Sequence, residues 1–299
     1  MLQSTVHCRR GRAVAAGLSL SLFLVLGAGP VSAAPLQPFK DDLFAYRTVV
    51  ETAEGGALRI VDYREARDLK GRDQTPERRA KPPYVTTGVN RVQENLAVQT
   101  DAGPVEVALT GKASNAAFSV IFIHGRGGDR RLGNNDWTFG GNFNRLKNLA
   151  ARNGGAYYAP TVHSFDEKGT EAIAGLIGSV AALSPGKPIV LACASMGSFI
   201  CWGIARKPTA VKSLAGMVIM GGAPDVGYPT TPAFKAKLPV FFTHGDLDTV
   251  YQANDQIALF RKLRRAGVPS QFVLFQTGTH GTPIRMTDWR ETLNWVLTR

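Results

Sequence analysis

Cysteine is scarce in this 299-residue chain, with three residues and no Cys-x-x-Cys spacing among them. Together with five dispersed histidines, that excludes a recognisable Cys/His metal motif. A phosphate loop is missing too: the glycine-rich run Gly125 to Gly128 lacks the Gly-Lys-Ser/Thr ending that such a loop needs. No cofactor is therefore expected. Internal repeats are absent, and only one stretch, near the N-terminus, is apolar over a long run. Acidic residues are in deficit, so the formal net charge is +12. Yet the basic residues are scattered (Arg130-Arg131, Arg261 to Arg265) and not interleaved with aromatics, which argues for a solvated basic surface and against a nucleic-acid partner.

What is present begins with a leader. Arg9, Arg10 and Arg12 precede the apolar stretch Ala13 to Gly29, and Val31-Ser32-Ala33 supplies a small-residue cleavage site. Residues 1–33 thus read as a signal peptide, and the protein is expected to be exported, periplasmic or secreted, with no stable membrane span after cleavage. Residues 34–94 form an N-terminal extension. Its stretch Glu65 to Lys81 is densely charged and carries Pro76, with Pro82 and Pro83 just beyond, so an irregular arm is expected there, with Arg59 to Arg64 as one possible strand. Residues 95–299 are long enough for a single α/β domain.

Within that domain, apolar runs at Phe118 to Ile123, Ala156 to Pro160, Pro188 to Cys193, Ala215 to Met220, Pro239 to Thr243 and Phe272 to Gln276 have the length and residue types of buried parallel strands. Helical stretches separate them, the clearest at Gln252 to Ala266 and from Asp288 onward. A hairpin around Asp101-Ala102-Gly103 precedes the series, and the whole predicts a mostly parallel eight-stranded sheet flanked by helices. The polar residues cluster just past strand ends. The first run leads into His124-Gly125-Arg126-Gly127-Gly128. The third leads into Ser195-Met196-Gly197, the layout of a strained strand-to-helix turn that lifts a serine off the sheet, although Cys193 stands where such a pattern usually begins with glycine. The fifth leads into His244-Gly245-Asp246-Leu247-Asp248, and the sixth into Thr277-Gly278-Thr279-His280. Serine, acid and histidine follow one another at the edge where open α/β sheets place their active crevice.

In these residues the chain resembles the α/β-hydrolases, most closely the small esterases of the phospholipase/carboxylesterase and dienelactone hydrolase groups, over about residues 95 to 299. The resemblance implies Ser195 as nucleophile, Asp248 as acid, His280 as base, and the backbone N–H groups of Arg126 and Met196 as an oxyanion hole. Asp246 and Asp225 are rival acids. His124 and His244 suit backbone bonding in their loops, and His163 suits a solvated loop or a pocket wall. Trp137 and Phe139 are candidate substrate contacts, with packing against the domain as the alternative. The link Gly221 to Leu238 is too short for a large cap. The implied activity is cleavage of a small-molecule or lipid-like carboxylic ester through an acyl-enzyme. A peptidase or amidase on the same triad, or an inactive binding protein on the same fold, are the alternatives. Finally, the separation of sheet and helix layers predicts that Cys193 and Cys201, the cysteines left after leader removal, are free buried thiols.

Overall fold

The computed structural model describes residues 1–3 and 35–299, so the apolar stretch and cleavage site expected in the leader lie outside the described residues. In chain order the strands are β1 (Val49–Ala53), β2 (Leu58–Val61), β3 (Asp73–Gln74), β4 (Arg79–Ala80), β5 (Gln93–Val98), β6 (Val105–Gly111), β7 (Ser119–Ile123), β8 (Ala156–Pro160), β9 (Ile189–Ala194), β10 (Leu214–Met220), β11 (Val240–Gly245) and β12 (Ser270–Phe275). All but β3 and β4 form one sheet in the order β1-β2-β12-β11-β10-β9-β7-β8-β6-β5. From β8 to β2 every neighbouring pair is parallel, while β6 runs antiparallel to β8 and β5 antiparallel to β6. Each of the six apolar runs became a strand, and the expected hairpin became β5 and β6.

Successive residues of a strand face opposite sides of the sheet, and here both sides are buried. Ile121, Ile123 and Leu191 pack with Ile173, Ile200 and Phe260 from the helices Glu167–Leu183, Gly197–Ile204 and Ala253–Arg265. Val120, Phe122 and Val190 pack on the other face with Phe143, Leu146 and Leu293 from the helices Asn142–Arg152 and Trp289–Leu297. The last helix starts where the sequence places it, because the Asp288 carboxylate accepts from the N–H groups of Arg290 and Glu291.

The N-terminal extension departs from the expected irregular arm. It adds β1 and β2 to the sheet, β2 pairing in parallel with β12, which makes ten strands where eight were expected. Its charges are absorbed by burial and pairing. Phe44 is fully buried, with the guanidinium carbons of Arg72 and Arg145 lying 4.9 and 4.8 Å from its ring centre. Arg145 pairs with Asp41 at 2.9 Å and Asp288 at 3.1 Å, tying the extension to the last helix. Arg72 donates to the carbonyl of Arg285 at 2.7 Å, and burial pushes its guanidinium down to about 10.

The cysteine expectation is corrected: Cys193 and Cys201 form a disulfide, with Cα atoms 6.3 Å apart. The layer spacing of about 10 Å is measured to the helix axis, and an inward-facing residue lies nearer the sheet by the helix radius of about 2.3 Å. The turn closes the rest of the gap. A side chain at Gly197 would meet the carbonyl oxygens of Ile123 and His124 at 2.7 Å, so glycine lets the first turn of this helix sit directly on the sheet.

Because buried Phe44 packs between Arg72 of the extension and Arg145 of the helix Asn142–Arg152, Phe44→Ala should lower the unfolding free energy by about 3–5 kcal/mol. Urea denaturation should still show one transition; a loss below about 1 kcal/mol, or a separate early transition, would mean that the extension folds independently.

Candidate functional site

Ser195 follows β9 in a left-handed backbone conformation, φ 52°, that only a tight turn imposes on a non-glycine residue. Its N–H donates to the carbonyl of Met220 on β10, and its carbonyl accepts from the N–H of Ser198 as the helix begins. Gly125 makes this possible from the neighbouring loop, since a Cβ there would come within 2.9 Å of the Ser195 Cβ. The serine hydroxyl is thereby held off the sheet edge, half-exposed, above a fully buried strand.

His280 comes from the loop after β12 and Asp248 from the loop after β11, and the three side chains meet in line. His280 Nε2 lies 2.8 Å from Ser195 Oγ, and His280 Nδ1 lies 2.8 Å from Asp248 Oδ2. Burial alone would push the Asp248 carboxyl up. Hydrogen bonds from His244, His280 and the N–H groups of Val250 and Tyr251 outweigh it and hold the carboxyl well below the usual range. Such a group adds stability that is present above the ordinary carboxylate range and is lost only as pH falls through the lower folded-state value, so Asp248 is an anion at every working pH. As an anion it only accepts, which fixes the proton of neutral His280 on Nδ1 and leaves Nε2 free to accept from the serine hydroxyl.

His244 is the member that sequence reasoning left to the backbone. Its Nε2 faces two acceptors, the Tyr251 carbonyl at 2.9 Å and Asp248 Oδ2 at 3.2 Å, so Nε2 carries the proton; Nδ1 is buried without a partner among the described residues. The four-residue spacing from His244 to Asp248 was the available signal. Asp248 thus receives four donors, two N–H groups on Oδ1 at 2.8 and 3.1 Å and two imidazoles on Oδ2.

The rival acids are elsewhere. Asp246 is exposed; partial burial raises its carboxyl, against the opposing effect of hydrogen bonds from the backbone of Thr277 and Gly278. Asp225 pairs with Arg206 at 2.7 Å. His124 is buried and structural in its bonding: Nε2 accepts from the Val162 N–H at 2.9 Å, so Nδ1 donates to the Gly125 carbonyl at 2.7 Å. Burial lowers its pKa and keeps it neutral. Met196 follows Ser195 in the elbow and Arg126 follows Gly125 in the glycine-rich loop, and neither backbone N–H has a backbone acceptor outside regular elements among the described residues. Trp137, expected as a substrate contact, is taken up by Arg79, whose guanidinium carbon lies 3.8 Å from the Trp137 ring centre. Phe139 of the same loop comes nearer the site, its ring edge 3.9 Å from the Cβ position of Gly281. Tyr251 packs against the His280 ring at 5.8 Å, with Phe199 against Tyr251 at 6.4 Å. Among the described residues no cluster of His, Cys, Asp and Glu could hold a metal ion, and no helix is long and apolar enough to cross a membrane.

No protein-family model matches the chain, and no curated protein matches it in sequence. Solved structures do. A thermostable esterase superposes with a TM-score of 0.53 at 17% identity, over 70% of this chain and 63% of its own. An esterase of Pyrococcus furiosus superposes with a TM-score of 0.51 at 13% identity, over 71% of this chain and 96% of its own. At that identity the likeness is one of architecture, and it agrees with the strand order and the strand-end site: the chain has the α/β-hydrolase fold.

Proposed function

We propose that the protein is an exported serine hydrolase that cleaves carboxylic esters through an acyl-enzyme. The observation that carries this reading is the unbroken line from Asp248 through His280 to Ser195, both links at 2.8 Å. Ser195 Oγ attacks the acyl carbonyl while its proton passes to His280 Nε2. Asp248 stabilises the imidazolium that results. The tetrahedral oxyanion is held by the N–H groups of Met196 and Arg126, each such donor being worth about 100- to 1000-fold in rate. The imidazolium then gives its proton to the leaving alkoxide, and a water activated by His280 releases the acid. Esterase neighbours in structure support ester chemistry on this fold. Export is supported by the leader in the sequence and by the disulfide Cys193–Cys201, which persists in oxidising compartments.

The test is turnover of matched p-nitrophenyl esters and p-nitroanilides by wild type and Ser195→Ala. Ester hydrolysis should predominate and should fall to a few per cent or less in the variant, which keeps the fold because a smaller side chain fits the turn. Anilide turnover equal to ester turnover would favour a peptidase; undiminished ester turnover in the variant would remove Ser195 from the reaction.

Asp248→Asn should lower kcat by orders of magnitude, up to about 10⁴, because the amide presents the wrong partner to His280 Nδ1. Asp246→Asn should change kcat by less than a few-fold. The reverse ranking, measured on the same ester, would transfer the acid role two residues upstream.

A further inference from the structure

The basic residues that are scattered along the sequence are gathered by the topology at one end of the molecule. Strands β7 to β12 are parallel, so the segments that lead into them all lie at the edge of the sheet opposite Ser195; they are residues 112–118, 152–155, 184–188, 212–213, 235–239 and 264–269. Together they carry five lysines (Lys112, Lys187, Lys212, Lys235 and Lys237) and three arginines (Arg152, Arg264 and Arg265), all exposed, and no acidic residue. Segments that leave the same strands mix the signs, with Asp129, Asp166 and Asp246 standing among Arg126, Arg130 and Lys168. The charge of one sign is therefore confined to the end without the triad.

This end is also short of neutralising partners. None of its lysines and arginines forms an ion pair among the described residues. Of the acids near it, Glu54, in the turn before β2, is taken by Arg261 at 2.8 Å, and Glu94 stands on the outermost strand β5. Adjacent segments touch, since Lys237 Nζ lies 3.4 Å from the Cβ position of Gly267 and Lys112 Nζ 3.9 Å from that of Gly154. From β12 across to β6 the sheet order counts six strand spacings, so the face is about 30 Å wide.

We propose that this end is a docking face for an anionic bilayer, held by the phosphates of the lipid headgroups. Lysine ammonium groups are compact charges on flexible stems, which suit a fluid plane of phosphates and impose no fixed geometry on it. A nucleic acid fits less well: the single aromatic in these segments, Phe118, is buried, so no base can stack there. Docking by this end carries Ser195 away from the bilayer by the length of β9, about 20 Å, and leaves the crevice open to solution.

The test is co-sedimentation of the folded protein with phosphatidylcholine vesicles, with and without phosphatidylglycerol. Wild type should bind the phosphatidylglycerol vesicles, leave the phosphatidylcholine vesicles unbound, and be released at about 1 M salt, where the screening length is about 3 Å. Lys187→Gln, Lys212→Gln, Lys235→Gln and Lys237→Gln should each weaken binding about fivefold and in combination at least about 100-fold, with an unchanged urea midpoint. Arginine at the same four positions should restore it. Equal binding to both vesicles, binding that survives high salt, or a combined glutamine variant that binds as wild type does would overturn the proposal. Tighter retention on immobilised duplex DNA than on the anionic vesicles at the same salt would overturn it in favour of a nucleic acid.

Discussion

The left-handed backbone at Ser195 is the constraint on which the site depends. A non-glycine residue held there costs about 1–3 kcal/mol, and the surrounding contacts must over-determine it. They do so through close approach. Gly125 and Gly197 each sit where a Cβ would strike neighbouring backbone or the serine itself, so strand, loop and helix converge to within van der Waals distance. The same convergence brings Cys193 and Cys201 within bridging range and locks the strand before the turn to the helix after it. The disulfide and the strained serine are two consequences of one tight junction.

Around that junction the charges are arranged before any substrate arrives. Asp248 is buried yet fully satisfied by four donors, so its negative charge is fixed in place and its geometry dictates the tautomer of His280. The sheet sets these groups apart, with Asp248 and His280 following β11 and β12 and Ser195 following β9 on the far side of β10. The open edge between them follows from the short link between β10 and β11, which builds only small helical turns at Tyr228–Thr230 and Pro232–Lys235 and no large cap.

The succession of buried strands along the chain, and the residues that follow their ends, were legible in the sequence because both depend on local signals: buried strands are continuous apolar runs, and the polar groups follow directly at their ends. Features set by long-range packing were not. β1 is an exposed edge strand and β2 a short strand of mixed composition between it and β12, and the pairing of β2 with β12 is written in no local pattern. The charged stretch around Arg72 and Asp73 reads as an irregular arm, yet Arg72 is buried against Phe44 and Asp73 against Arg285, which only tertiary contacts supply. That Arg79 from β4 stacks on the Trp137 ring is likewise a tertiary contact with no local signal. The disulfide was missed by treating helix and sheet as average layers, when the turn at Gly197 presses them closer than average.

If His280 activates the Ser195 hydroxyl as a nucleophile, treatment of the folded protein with a fluorophosphonate, followed by peptide mapping, should give one adduct per chain, on Ser195, formed rapidly in wild type and at a rate reduced by orders of magnitude in His280→Ala. An adduct on another residue, or no adduct on the folded protein, would contradict it.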